Sequence, residues 1–188
     1  PADNIGAGSA GDSTTVLRAF LRHGVKRAAV AIADGTAVAA LQPLSPGEAT
    51  TLTLGGRSGE IGSEPLTVSA TLVSRSDGKF TLEDAQSHLA ASQGTLFDMG
   101  PTAAVKVDEI LVLLTSRKTP PFDLGQFRSQ GIVPEEMTAI GVKAAVAHRR
   151  AYDKIASASY TVSTLGPCSS DLRQLPYRHI RDGVHPLR

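Results

Sequence analysis

The run DNIGAGSAGDST at residues 3–14 constrains this chain more than any other segment. Glycines at 6, 8 and 11 allow positive φ and a close approach of the backbone to other groups. The residues that follow, STTVLRAFLRH (13–23), place Val16, Leu17, Phe20 and Leu21 on one helical face with Arg18 and Arg22 opposite. A glycine-rich turn that feeds a helix N-terminus is therefore predicted. Asp12 or Ser13 would be its N-cap, and Gly24 stands where a left-handed C-cap belongs. Free N–H groups and the positive end of a helix favour an anion at such a turn.

Gly6, Gly8 and Gly11 also spell G-x-G-x-x-G, and Asp34 ends the next apolar run, where a dinucleotide fold keeps its ribose-binding acid. Two features oppose that reading. Only PADNI precedes the first glycine, where the fingerprint needs a strand, and Asp3 and Asp12 would repel a pyrophosphate. The other reading is a turn whose Asp and Ser side chains cap the helix and tie the loop. The absent strand carries a further expectation, that the chain is a fragment.

Further along, AAVAIA (28–33) is short and continuously apolar, as in a strand buried on both faces, and 36–41 reads as one short helix. Strand alternation marks 50–54 and 66–74, and Asp77-Gly78 signals a hairpin with 79–82 as the returning strand. Strands are expected at 103–107 and 109–115. A helix follows at 123–130, capped by Asp123 and ended by Gly131; then come a strand at 138–143, a helix at 147–155 and a strand at 158–162. The tail from Gly166, with prolines at 167, 176 and 186, should be irregular. The sum is one α/β domain over 1–188, with a mixed parallel and antiparallel sheet flanked by helices.

At 41% hydrophobic and 20% charged residues the chain has an ordinary globular composition, and no apolar run reaches the length of a membrane span. A net charge of +1, no Trp and 4% aromatics give nucleic acid neither a basic face nor stacking platforms. Cys168 is the single cysteine, which excludes an internal disulfide and a CxxC metal site; a cytoplasmic location is expected. The histidines at 23, 88, 148, 179 and 185 form no HExxH or HxH pair, and His179, Asp182 and His185 sit together only in the tail. No GxSxG elbow occurs.

Polar residues end apolar strands at two places. Thr115, Ser116 and Arg117 close the run EILVLLT, where open α/β sheets collect ligands; the alternative is simple strand termination with a solvated Arg. Lys143 closes another strand, and His148 follows in a helix as an acid/base or anion-donor candidate, or as a plain surface histidine.

In order, the opening run, LGG at 54–56, LLTSRKTPPFDLGQFRSQGIVP, VKAAVAHRRAYDKIA and DLRQLPYRHIR resemble the C-terminal domain of the MlrC family, the M81 metallohydrolases. The family's DNPGGGSPGD opening matches Asp3, Asn4, Gly6, Gly8, Ser9, Gly11 and Asp12, with Ile5, Ala7 and Ala10 as departures. Its LTSRRxxPFDxxxFRSxGIDP segment matches from Leu114 to Pro134, with Val133 replacing an acid; a third segment matches at Val142, Lys143, His148, Arg150, Ile155 and Ala156. The tail reads RDGVHP where the family runs RRPxxP.

The resemblance implies a domain of a zinc-dependent hydrolase that cleaves short or linear peptides with a zinc-bound water. It places the zinc ligands in a preceding N-terminal domain, so that this chain binds no metal and is inactive alone. That domain and a peptide substrate are the implied partners, with neither nucleic acid nor membrane, and a homo-oligomer is possible. Substrate contacts are expected from Asp3, Asn4, Gly6, Gly8, Ser9, Gly11, Asp12, Thr115, Ser116, Arg117, Lys143 and His148. The competing reading is a stand-alone anion- or nucleotide-binding module built on residues 4–12.

Overall fold

The computed structural model describes residues 2–185 and 187. In chain order the elements are α1 (Thr15–Arg22), β1 (Ala28–Ala33), α2 (Gly35–Ala40), β2 (Ala49–Leu54), β3 (Leu66–Ser76) and β4 (Lys79–Thr81). They continue as α3 (His88–Gln93), β5 (Leu96–Asp98), β6 (Thr102–Val107), β7 (Ile110–Thr115), α4 (Gly125–Arg128), β8 (Ala139–Gly141) and α5 (Arg149–Tyr152). Six strands form one mixed sheet in the order β2-β3-β6-β7-β1-β8, and β4 pairs with β5 in a separate ribbon. The fold is α/β, as expected.

β1 lies between β7 and β8 and runs parallel to both, while β2, β3, β6 and β7 pair antiparallel in turn. That position explains the unbroken AAVAIA run, because both faces of β1 are covered. On one face Ala28, Val30 and Ile32 join Leu17 of α1, Ala37 and Val38 of α2, and Leu52 and Leu72 of the antiparallel strands. On the other, Ala29 joins Leu113, Phe80, Phe127 and Tyr152 beneath the ribbon, α4 and α5. Three layers result, with the sheet in the middle.

α1 ends as its sequence dictates. Gly24 has φ +59, its N–H donates to Leu21 O, and Val25 N–H donates to Phe20 O, the paired bonds of a Schellman cap. Its start differs from the expectation, since neither Asp12 nor Ser13 is the N-cap. Thr14 holds the N-cap position without a side-chain bond, and Ser13 Oγ accepts from Thr15 N–H at 3.2 Å.

Three expectations need correction. The chain does leave β3 at Asp77-Gly78, but β4 pairs with β5 and not with β3. β3 pairs with β2 along residues 66–71 and with β6 along residues 71–76, and the returning segment joins neither face of that ladder. Residues 158–162 form no strand, and Tyr160 and Val162 are exposed. β propensity is realised only against a partner. The helices expected at 123–130 and 147–155 shrink to single turns, and α3 and β5 were not anticipated. Beyond Gly166 only a 3-10 turn at Leu172–Gln174 is regular, and the expected Pro186 lies outside the described residues. Among the described residues no helix is long and apolar enough to cross a membrane.

Gly55 ties the second glycine motif to the first. It adopts φ +63, and a Cβ there would overlap the carbonyl oxygen of Asp12. Gly55→Ala should therefore cost at least about 2 kcal/mol in a urea unfolding titration, from backbone strain plus overlap.

Candidate functional site

Because β7, β1 and β8 run parallel, the residues that follow them emerge at one edge of the sheet. Asp34 follows β1, Ser116 and Arg117 follow β7, and Lys143 follows β8. Residues 2–14 lie across that edge. Gly11 O accepts from Ala33 N–H at 3.0 Å, Asp12 O accepts from Gly56 N–H, and Gly8 O accepts from Lys118 Nζ at 3.2 Å.

The glycine loop holds an anion, and the anion is its own Asp3. That carboxylate accepts from Gly11 N–H at 2.8 Å, Ser13 N–H at 2.9 Å and Ser9 Oγ at 2.9 Å. Lys143 Nζ completes the set at 2.9 Å from Asp3 Oδ2, and it also donates to Gly11 O at 2.7 Å and Ser13 O at 2.8 Å. All three neighbours of Nζ are acceptors, which only an ammonium with three N–H groups satisfies. Asp3 is 3% exposed and Lys143 2%, so this is a buried ion pair with its remaining valences filled. Other loop amides are also engaged: Ala7 and Ser9 donate to Asn4 O, Gly8 to Ile5 O and Ala10 to Glu60 Oε2.

The remaining carboxylates of the edge are likewise committed. Asp12 accepts from Ser58 N–H, Ser58 Oγ and Ser63 Oγ, which fastens the 55–65 loop beneath residues 9–13. Asp34 caps α2 through Ala37 N–H, accepts from Gly55 N–H, and pairs with Arg57 Nε at 3.4 Å. Both oxygens of Asp34 are thus occupied where a dinucleotide fold would turn them to a ribose. Gly6 is required by packing, since a Cβ there would sit 2.6 Å from Phe122 Cζ.

The structure therefore brings Asp3, Ser9, Gly11 and Lys143 into one bonded cluster and sets the other candidates around it. Thr115 is buried within the sheet, and Ser116 Oγ donates to Pro101 O. Arg117 pairs with Asp98 through Nη1, and its side chain is 63% exposed. His148 stands apart, with its ring edge-on to Tyr152 at 6.2 Å and Nδ1 buried without a hydrogen-bond partner. Burial lowers its pKa, which favours the neutral imidazole. Asn4 Oδ1 is buried and likewise unpartnered. Sequence reasoning passed over Lys118 and Asp98; Lys118 adjoins the singled-out TSR, but its contacts with Gly8 and Ser9 cross 110 and 109 positions. Cys168 is half-buried, and its N–H donates to Ala2 O. Among the described residues no group of three or more His, Cys, Asp or Glu side chains could hold a metal ion.

Comparison with known families places these features together. The family described as MlrC C-terminus matches over residues 1–179. The chain belongs to that family. Among solved structures, the MlrC C-terminal domain is similar to a candidate metallopeptidase from Mesorhizobium sp. BNC1, at 22% identity and a TM-score of 0.81. The match covers 100% of this chain but 36% of the other, so the domain spans little more than a third of that protein, and the likeness is one of fold. No curated protein matches.

The Asp3 clasp gives the MlrC C-terminal domain a defined acid limit. Burial pushes the Asp3 carboxyl up, but Lys143, Ser13 and Ser9 outweigh it and hold the pKa below its ordinary value of 3.8. On acidification the unfolded chain binds this proton first. The stabilisation is therefore complete above about pH 5 and is lost as pH falls from about 4 through the folded value. Asp3→Asn should remove that component from a plot of unfolding free energy against pH between about 2 and 5.

Proposed function

We propose that this domain forms one wall of the substrate cleft in a zinc-dependent peptidase or amide hydrolase whose metal is held by residues outside this chain. The observation that carries the proposal is the gathering of the candidate residues at the carboxyl ends of β1, β7 and β8, with Arg117 exposed beside them. Open α/β sheets bind ligands at that edge. Family membership and the similarity in fold to a candidate metallopeptidase support the reading.

Among the described residues, the carboxylates at this edge do not suit zinc. Asp3, Asp12 and Asp34 each spend their lone pairs on N–H and O–H donors within the domain. Their work is to hold the loop rigid, so that backbone and cationic groups stay at fixed positions. Arg117 can bind a substrate carboxylate or steady charge in a transition state, and rigid placement is what makes such a group effective.

The test is a peptide-cleavage assay by chromatography on a longer protein that carries this domain, with zinc present or chelated. Zinc-dependent cleavage of short peptides is expected, with none from this chain alone. Cleavage by the isolated chain, or none by the longer protein with zinc, would overturn the proposal. The nucleotide-module reading is checked separately by thermal shift with NAD, ATP and phosphate. The engaged loop amides and the committed Asp34 lead us to expect no change in Tm.

A further inference from the structure

Next to the glycine loop, a recess of about 260 Å³ opens between β5 and the chain that leaves β7. Its lining includes Leu96, Phe97 and Pro120 together with Arg117, Lys118 and Asp98. Two cations face one carboxylate, so the recess carries a net positive charge.

That carboxylate cannot follow the cations freely. Asp98 Oδ1 is pinned by Gly100 N–H at 2.7 Å, and Arg117 is itself fixed at its backbone by donation to Met99 O. Among the described residues Arg117 uses one of its five side-chain N–H donors, on Asp98 Oδ2, which leaves most of the guanidinium fork open. Lys118 is anchored by Gly8 O and Ser9 O. Leu96 is 78% exposed and lines the recess.

A planar fork beside an apolar wall fits one kind of ligand end. We propose that the recess binds the terminal carboxylate of a short peptide, with Arg117 gripping the carboxylate and Leu96 and Pro120 receiving an apolar last side chain. The inference rests on the reading of this domain as a wall of a peptide cleft. It names the substrate class, short peptides with a free carboxyl end. Arg–carboxylate pairing is bidentate and charge-assisted, so the amide of the same residue should bind far less well.

The experiment is a titration of the isotopically labelled chain, followed by its amide resonances, with N-acetyl-leucine, N-acetyl-leucinamide and inorganic phosphate. N-acetyl-leucine should shift the amides of Leu96, Asp98, Arg117, Lys118 and Thr119, and the leucinamide should bind about tenfold more weakly or not at all. Arg117→Ala should weaken binding about tenfold, and Arg117→Lys should fall between, keeping charge without the fork. Asp98→Asn keeps the bond to Gly100 but removes the competing charge, so it should tighten binding a few-fold.

Equal binding of acid and amide, shifts elsewhere in the domain, or indifference to Arg117→Ala would overturn the proposal. Phosphate binding as tightly as N-acetyl-leucine would identify a general anion site and overturn it too. Because the readout is binding, it is independent of hydrolysis. Carboxylate binding without zinc-dependent cleavage in the longer protein would sink the cleft reading and leave the recess standing.

Discussion

Exchanging Lys143 for Met is expected to lower the stability of the domain by about 3–5 kcal/mol, the cost of leaving a buried charge without its partner. Asp3, 3% exposed, would lose its counter-charge, while Gly11 O and Ser13 O would each lose the ammonium that bonds them. In a chain of this size each kcal/mol moves the melting temperature by roughly 2–4 °C, so Tm should fall by about 10 °C. Adding Asp3→Asn to Lys143→Met should restore part of the loss, because the buried charge disappears with it. A loss below about 1 kcal/mol for the single substitution would mean that the ion pair does not hold the loop to the sheet.

This clasp also marks the limit of what could be read from residues alone. Local signals were sufficient where the decisive contacts are local: Gly24 ends α1 in the expected left-handed conformation, and the apolar run of β1 is buried on both faces. The convergence of Asp34, Thr115 to Arg117 and Lys143 on one edge was legible once those strands were taken as parallel. Pairing was less legible. Asp77-Gly78 is a turn signal that says nothing of which neighbour the next strand meets, and here that neighbour is β5. The strand-like pattern of 158–162 had no partner to realise it. Asp3 and Asp12 were read as repelling an external anion. Each instead serves as the anion to backbone N–H and hydroxyl donors 6 to 51 positions away, and the Lys143 bonds to Gly11 and Ser13 span 132 and 130. No spacing rule reaches that far.

The central claim is that the edge formed by the ends of β1, β7 and β8 faces substrate in a larger hydrolase. Arg117 tests it best, because its side chain is 63% exposed and its one ion pair lies at the surface. Replacing it should change stability by less than about 1 kcal/mol, since an exposed pair contributes little. A guanidinium that binds substrate or developing charge is worth far more to turnover, and the loss of such a group costs about a hundredfold in rate. The decisive measurement is kcat/KM for zinc-dependent cleavage of a short peptide by the longer protein, with and without Arg117→Ala, alongside the Tm of both. We predict a fall of about a hundredfold in kcat/KM at nearly constant Tm. An unchanged kcat/KM would contradict the assignment of this edge as the substrate-facing wall.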